Sequence, residues 1–308
     1  MTAPERKALP GGREHWQHGP IDLVIRAEGD ADAVARAYAA AWQRFQSVLD
    51  ELVGELSMLR LPVEHAHPLR GVIARRMGAA TAPYASEFIT PMAAVAGSVA
   101  QEIVTFFTAE PGVRKAYVNN GGDIALHLLP GESLGVGLVA NAYAPALNGE
   151  VKVEAASGIR GVATSGWRGR SFSLGVADSV TVLATTAAQA DAAATMIANA
   201  VNVQHDNIER APANTLKDDT DLGARLVTVN VGALPPALRA QALDAGARAA
   251  QSYLARGLVI GAALALQGEW RSIGCLRAAP LAQPEHIAAG PQAQDPAAAA
   301  GPAQRLAA

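Results

Sequence analysis

The stretch Val118-Asn119-Asn120-Gly121-Gly122-Asp123-Ile124 constrains this chain more than any other. An apolar run of strand character enters it over residues 115–118, and a second leaves over 124–129. Asn-Gly between apolar runs is the strongest short-range signal for a two-residue hairpin. Asn120-Gly121 alone therefore predicts a turn, and Gly122-Asp123 is more than the turn requires. Paired glycines permit positive φ and let a ligand approach bare backbone. The two asparagines and the aspartate gather amide and carboxylate groups around the same bend. The stretch reads as a hairpin whose tip also serves a binding site.

The rest of the composition narrows the function classes. A formal net charge of −3 supplies no attraction for nucleic acid or an anionic membrane surface, so neither is expected as a partner. Half of the 308 residues are hydrophobic, yet no uninterrupted apolar run reaches the roughly 18 residues of a spanning helix. Residues 1–9 carry charge without an apolar core behind it, unlike a signal peptide. Cys275 is the single cysteine, so no internal disulfide can form. A cytoplasmic protein acting on a small-molecule ligand is the expectation, with a homo-oligomer allowed by its small-residue surfaces.

Residues 1–18, with Pro10-Gly11-Gly12, read as a flexible lead, and residues 278–308, rich in Ala, Pro and Gln, as a disordered tail. Between them, residues 19–277 read as one domain. Residues 21–27 alternate as a strand, and Asp30 caps a long amphipathic helix over 31–59. His65 and His67 precede Pro68 and read as a plain turn, since no third metal ligand is near. A helix over 69–80 carries Arg75-Arg76, a pair suited to a solvated face or to an anionic ligand. Residues 91–108 form a helix of small residues capped by Thr90. Strands follow over 133–141, 150–155, 161–166 and 178–184, with a basic turn at 167–170. Residues 204–221 read as loop, 226–231 as a strand, 236–256 as a helix, and 258–273 as a closing hairpin.

Thr185 or Thr186 caps a helix over 187–201 on which Asp191, Thr195 and Asn199 fall at i, i+4 and i+8. Their neighbours are mostly alanine, where a solvated face would carry lysine and glutamate. The stripe is either modestly polar surface or a set of oxygen ligands turned inward.

Taken together, residues 91–100, 118–124 and 163–201 resemble the ApbE superfamily, and most of all its short bacterial and archaeal branch. The matching motifs are Asn-Gly-Gly-Asp-Ile at 120–124, Ala-Thr-Ser-Gly at 163–166, Ser-Val-Thr-Val at 179–182 and Ala-Asp-Ala-Ala-Ala-Thr at 190–195. Founding members of that superfamily are Mg2+-dependent FAD:protein FMN transferases. The resemblance implies an α/β (α+β) domain with a mixed or antiparallel central sheet flanked by helices. It implies Mg2+ at Asp191 and Thr195, assisted by a carbonyl of Gly161 or Val162. It also implies a flavin such as FAD, or another phosphate-bearing ligand, at Asn119, Asn120, Gly121, Gly122, Thr164, Ser165 and Gly166. Asp123 and Asp178 are the candidates for catalytic proton handling.

The sequence departs from the transferases at two motifs. Val95, Gly97 and Ala100 stand where their helix carries lysine, tyrosine and aspartate, and residues 171–178 replace a histidine-bearing segment. Three readings follow. The first is Mg2+-dependent transfer or hydrolysis on a flavin or similar ligand. The second is changed, metal-independent chemistry on a small heterocyclic or carbonyl substrate. The third is a non-catalytic cofactor binder.

Overall fold

The computed structural model describes residues 3–65, 68–139 and 147–276. The chain runs β1 (Glu5–Leu9), β2 (Arg13–His18), β3 (Ile21–Gly29), α1 (Ala31–Gly54), α2 (Leu56–Leu59), α3 (Val72–Thr81) and α4 (Val95–Ala109). It continues β4 (Val113–Asn120), β5 (Asp123–Leu128), β6 (Ser133–Val139), β7 (Leu147–Glu154), β8 (Gly161–Ser165), β9 (Ser179–Ala184) and α5 (Ala187–Ala200). The last elements are β10 (Ile208–Pro212), α6 (Ala213–Leu216), β11 (Leu226–Val231), α7 (Pro236–Ala255), β12 (Gly261–Leu266) and β13 (Glu269–Gly274).

Among the described residues nine strands form one sheet in the order β1-β2-β3-β4-β5-β8-β9-β12-β13, antiparallel at every junction. Strand side chains alternate between faces, and the two hydrophobic clusters divide accordingly. On one face α1, α4, α5 and α7 cover the sheet, burying Ile25, Val118, Ala125, Ala163, Val180 and Val182 among others. On the other face the β6–β7 hairpin brings Val136 and Val153 against Leu126, Leu128, Val162 and Leu183. The architecture is thus the expected α+β sheet flanked by helices.

The structure departs from the sequence reading at the N-terminus. Residues 3–18 are not a flexible lead: β1 and β2 extend the sheet. Trp16 is fully buried, with ring centroids 5.2 Å from Trp42 and 5.5 Å from Phe45, and Arg6 lies over its face. One aromatic among polar residues gives little periodicity, so its ring contacts, all with α1, are invisible along the chain. Residues 204–221 likewise hold β10 and α6, because pairing with β11 overrides a polar composition. His67 and residues 278–308 lie outside the described residues.

Arg75 and Arg76 serve the helix layer. Arg76 donates to Glu102 (3.0 Å) and to the Ser98 carbonyl (3.1 Å), while Arg44 reaches Glu102 and Glu51. Arg75 donates to the Arg70 carbonyl. The helical stretch Pro91–Ala109 is long and apolar enough to cross a bilayer by length and composition. Here it is the central core helix, packed against β4, β5, α1 and α5.

Candidate functional site

The Asn-Gly-Gly-Asp bend opens a gap in the middle of the sheet. Asn120 pairs with Asp123 as the last position of the β4–β5 ladder, with Gly121 (φ +66°) and Gly122 (φ +117°) between them. A two-residue hairpin of this kind needs positive φ at both central positions, which glycine alone adopts without strain. The Asn119 Oδ1 accepts the Gly122 N–H at 2.8 Å and braces the bend. Because β5 starts at the turn, it pairs with β8 only at Ile124↔Val162 and Ala125↔Gly161. Strand β8 stays paired with β9 as far as Ser165. Its Ala163–Ser165 segment therefore has no β5 neighbour, and the Thr164 N–H donates to the Asp123 carboxylate (3.3 Å) in place of a strand carbonyl. A cavity of about 630 Å³ occupies this gap, a volume in the usual range for small-ligand sites.

Helix α5 supplies the inner wall. Its N-cap, Thr186, accepts the Gln189 N–H, and one and a half turns later Asp191 and Thr195 face the cavity. Helix α4 begins behind Ala94, which carries no capping oxygen. Asp191 supplies it from α5, its Oδ2 accepting the Gly97 N–H at 2.9 Å. A Cβ on Gly97 would lie 2.3 Å from the Ala187 carbonyl oxygen, so only glycine lets the two helices approach this closely. The oxygen stripe of α5 then splits. Asn199 accepts the Leu174 N–H at 2.9 Å and clamps a loop outside the cavity.

The electrostatics of the cavity are unbalanced. Asp123 is pushed up to about 7 by burial, against the Thr164 N–H and the Arg170 charge, which pull it down. Asp191 is pushed well above the ordinary carboxylate range, first by burial and then by the negative charge of Asp123. The hydrogen bonds from Gly97 and Ala96 oppose this without cancelling it. Asp178 also lines the cavity, but its carboxylate accepts Arg168 Nε (2.9 Å), Trp167 Nε1 (3.2 Å) and the Gln267 N–H (2.5 Å). It anchors the basic turn, with three of its acceptor sites already taken. Two carboxylates without a paired cation make this a cavity that favours positive charge.

The residues singled out in the sequence converge. Asn119, Asn120, Gly121, Gly122, Asp123, Thr164, Ser165, Gly166, Asp178, Asp191 and Thr195 all line the one cavity. Asn120 does so as a brace, its Nδ2 donating to the Ala96 carbonyl (3.1 Å) and its Oδ1 accepting the Asp22 N–H (3.4 Å). Sequence reasoning missed Ser179 and Thr181, the latter paired to the Thr164 hydroxyl at 2.9 Å, and Arg170. For Arg170 the signal was present, an arginine in a Gly-x-x-Gly-x-Ser turn, but its direction was not.

The donor set is oxygen only: two carboxylates and the Thr195 hydroxyl. Among the described residues no group of three or more His, Cys, Asp or Glu could hold a metal. Zinc, which takes three or four protein ligands rich in nitrogen and sulfur, does not fit. Mg2+ does, since it accepts one or two carboxylates and completes its shell with water and ligand phosphates.

A family model described as AbpE bacteria matches residues 6–272. The chain belongs to this ApbE-like family. Among curated proteins it is 34% identical over 213 residues to a UPF0280 protein of Methanopyrus kandleri, covering 68% of this chain and 82% of that one. It is 41% identical over 142 residues to a UPF0280 protein of Methanothrix thermoacetophila, covering 46% of this chain and 55% of the relative. The chain thus spans about half the length of some of the relatives it matches. Among solved structures, the apo flavinyl transferase ApbE of Pseudomonas stutzeri aligns at a TM-score of 0.41 and 12% identity, over 66% of this chain and 87% of that one.

Proposed function

We propose that the cavity binds a phosphate-bearing ligand, a flavin nucleotide such as FAD first among them, together with Mg2+, and carries out transfer or hydrolysis at the phosphate. The observation that carries this reading is the meeting of Asp123 and Asp191, two half-buried carboxylates without a paired cation, beside a turn of bare backbone. Membership of the ApbE-like family supports the flavin as first candidate.

Asp191 and Thr195 would hold the metal from adjacent turns of α5. Bound Mg2+ supplies Lewis-acid character and neutralises phosphate oxygens. Gly121 and Gly122 leave room for the ligand to approach the main chain. Asp123, poised near neutrality, can take up or release a proton on the ligand at physiological pH. Asp178 positions the basic turn and is not itself the acid or base.

The test is titration of FAD, FMN and ADP by flavin fluorescence and calorimetry, with and without Mg2+. Mg2+-dependent binding lost in Asp191→Asn supports the reading. Absence of binding under both conditions overturns it.

A second reading has one specific observation in its favour. Asp123 near neutrality is already a usable acid–base group without a metal, on a small heterocyclic or carbonyl substrate. Turnover that survives chelation and vanishes in Asp123→Asn would select it.

A further inference from the structure

Resting on the phosphate-ligand reading above, we infer that Arg170 is the anion-recognition residue of this cavity, binding a phosphate of the ligand against the Gly121-Gly122 turn while the metal side of the same ligand faces Asp191. Three observations point to Arg170.

Its guanidinium lies directly over the bend. A Cβ on Gly121 would fall 1.7 Å from Arg170 Nη2 and 2.9 Å from its Cζ, so any residue but glycine would displace it. The charged fork therefore rests on bare backbone at the cavity wall, next to the carboxylates, and its field is felt at Asp123.

Arg170 is also uncommitted. Arg168, two residues earlier, is tied to Asp178 at 2.9 Å and stacked on Trp167 at 4.4 Å. Among the described residues Arg170 makes no hydrogen bond or ion pair, although Asp123 and Asp191 line the same cavity. An arginine within a cavity, exposed and unpaired, keeps all five donors for a ligand. Its planar fork matches two oxygens of a phosphate, a geometry lysine cannot supply.

The charges require it as well. A phosphate entering a cavity with Asp123 and Asp191, neither held in an ion pair, meets repulsion, and one divalent cation only offsets the carboxylates. A second positive group on the phosphate side is needed, and Arg170 stands there. The ligand class that satisfies both sides carries a diphosphate, whether free, nucleoside-linked or flavin-linked.

The experiment compares the full chain with Arg170→Gln and Arg170→Lys, titrated calorimetrically with inorganic diphosphate, ADP and FAD in Mg2+. Riboflavin serves as the phosphate-free control, and Mn2+ binding is read by paramagnetic resonance. Loss of a charge-assisted fork predicts roughly 10- to 100-fold weaker binding of the phosphate ligands in Arg170→Gln. Arg170→Lys should recover part of it. Mn2+ affinity without anion should not fall, and any riboflavin binding should stay unchanged. Binding of free diphosphate and ADP as tight as that of FAD identifies the diphosphate as the recognised group. Wild-type binding that persists undiminished in Arg170→Gln overturns the assignment of Arg170 and leaves the phosphate-ligand reading standing. A wild-type chain that binds none of the three ligands overturns both.

Discussion

Replacing Asp123 by asparagine should make the metal-free protein more stable at pH 8, although it alters a residue of the functional cavity. The carboxylate is moved from its ordinary 3.8 to about 7, mainly by burial. Keeping it ionised in the fold therefore opposes folding by at most ~4 kcal/mol, at about 1.36 kcal/mol per tenfold change in proton affinity. Asp123 is only half-buried and faces a cavity open to water, so screening reduces the effect to about 1–2 kcal/mol. A carboxylate raised in the folded state contributes its full stability below the unfolded value and loses it as pH climbs through the folded value. Wild type should therefore weaken between about pH 4 and pH 7–8, and Asp123→Asn should weaken less. The asparagine Oδ1 can still accept the Thr164 N–H, so the strand gap stays braced. Thermal melts in chelator at pH 4 and pH 8 measure this. The two proteins should differ least at pH 4 and separate by pH 8 by roughly 2–6 °C in favour of Asp123→Asn. Saturating Mg2+ should close or reverse the gap by stabilising wild type through linkage. An Asp123→Asn protein that melts at or below wild type at both pH values would refute the claim that this carboxylate is desolvated and unpaired.

Two further substitutions probe the frame around the site. Gly97→Ala puts a methyl group 2.3 Å from the Ala187 carbonyl and 2.9 Å from the Asp191 Cβ. It should lower stability by about 1–3 kcal/mol in urea denaturation despite alanine's better helix propensity, and a neutral result would mean α4 and α5 are less closely seated. Trp16→Ala empties a fully buried site under α1 and should cost about 3–5 kcal/mol. If deleting residues 3–18 leaves the melting temperature unchanged, β1 and β2 are not integral to the sheet.

What the sequence determined by itself was local. The Asn-Gly-Gly-Asp hairpin, the Thr186 cap with the Asp191–Thr195 face of α5, and the order of strands and helices around them follow from turn chemistry and periodicity. These depend on residues a few positions apart. The oxygen stripe was also legible as a stripe, but not where it divides, because Asn199 is claimed by a loop that only the fold brings alongside. Tertiary structure decided everything that needs two distant segments to meet. It joined Trp16 to α1, made Asp191 the cap of a helix 94 residues earlier in the chain, and tied Asp178 to the basic turn. It aimed Arg170, and not Arg168, across the bend. The cavity itself exists because β5 turns away from β8 after two paired positions. Pairing registers between remote strands are set by the buried faces of the whole sheet, and no local window of sequence contains them.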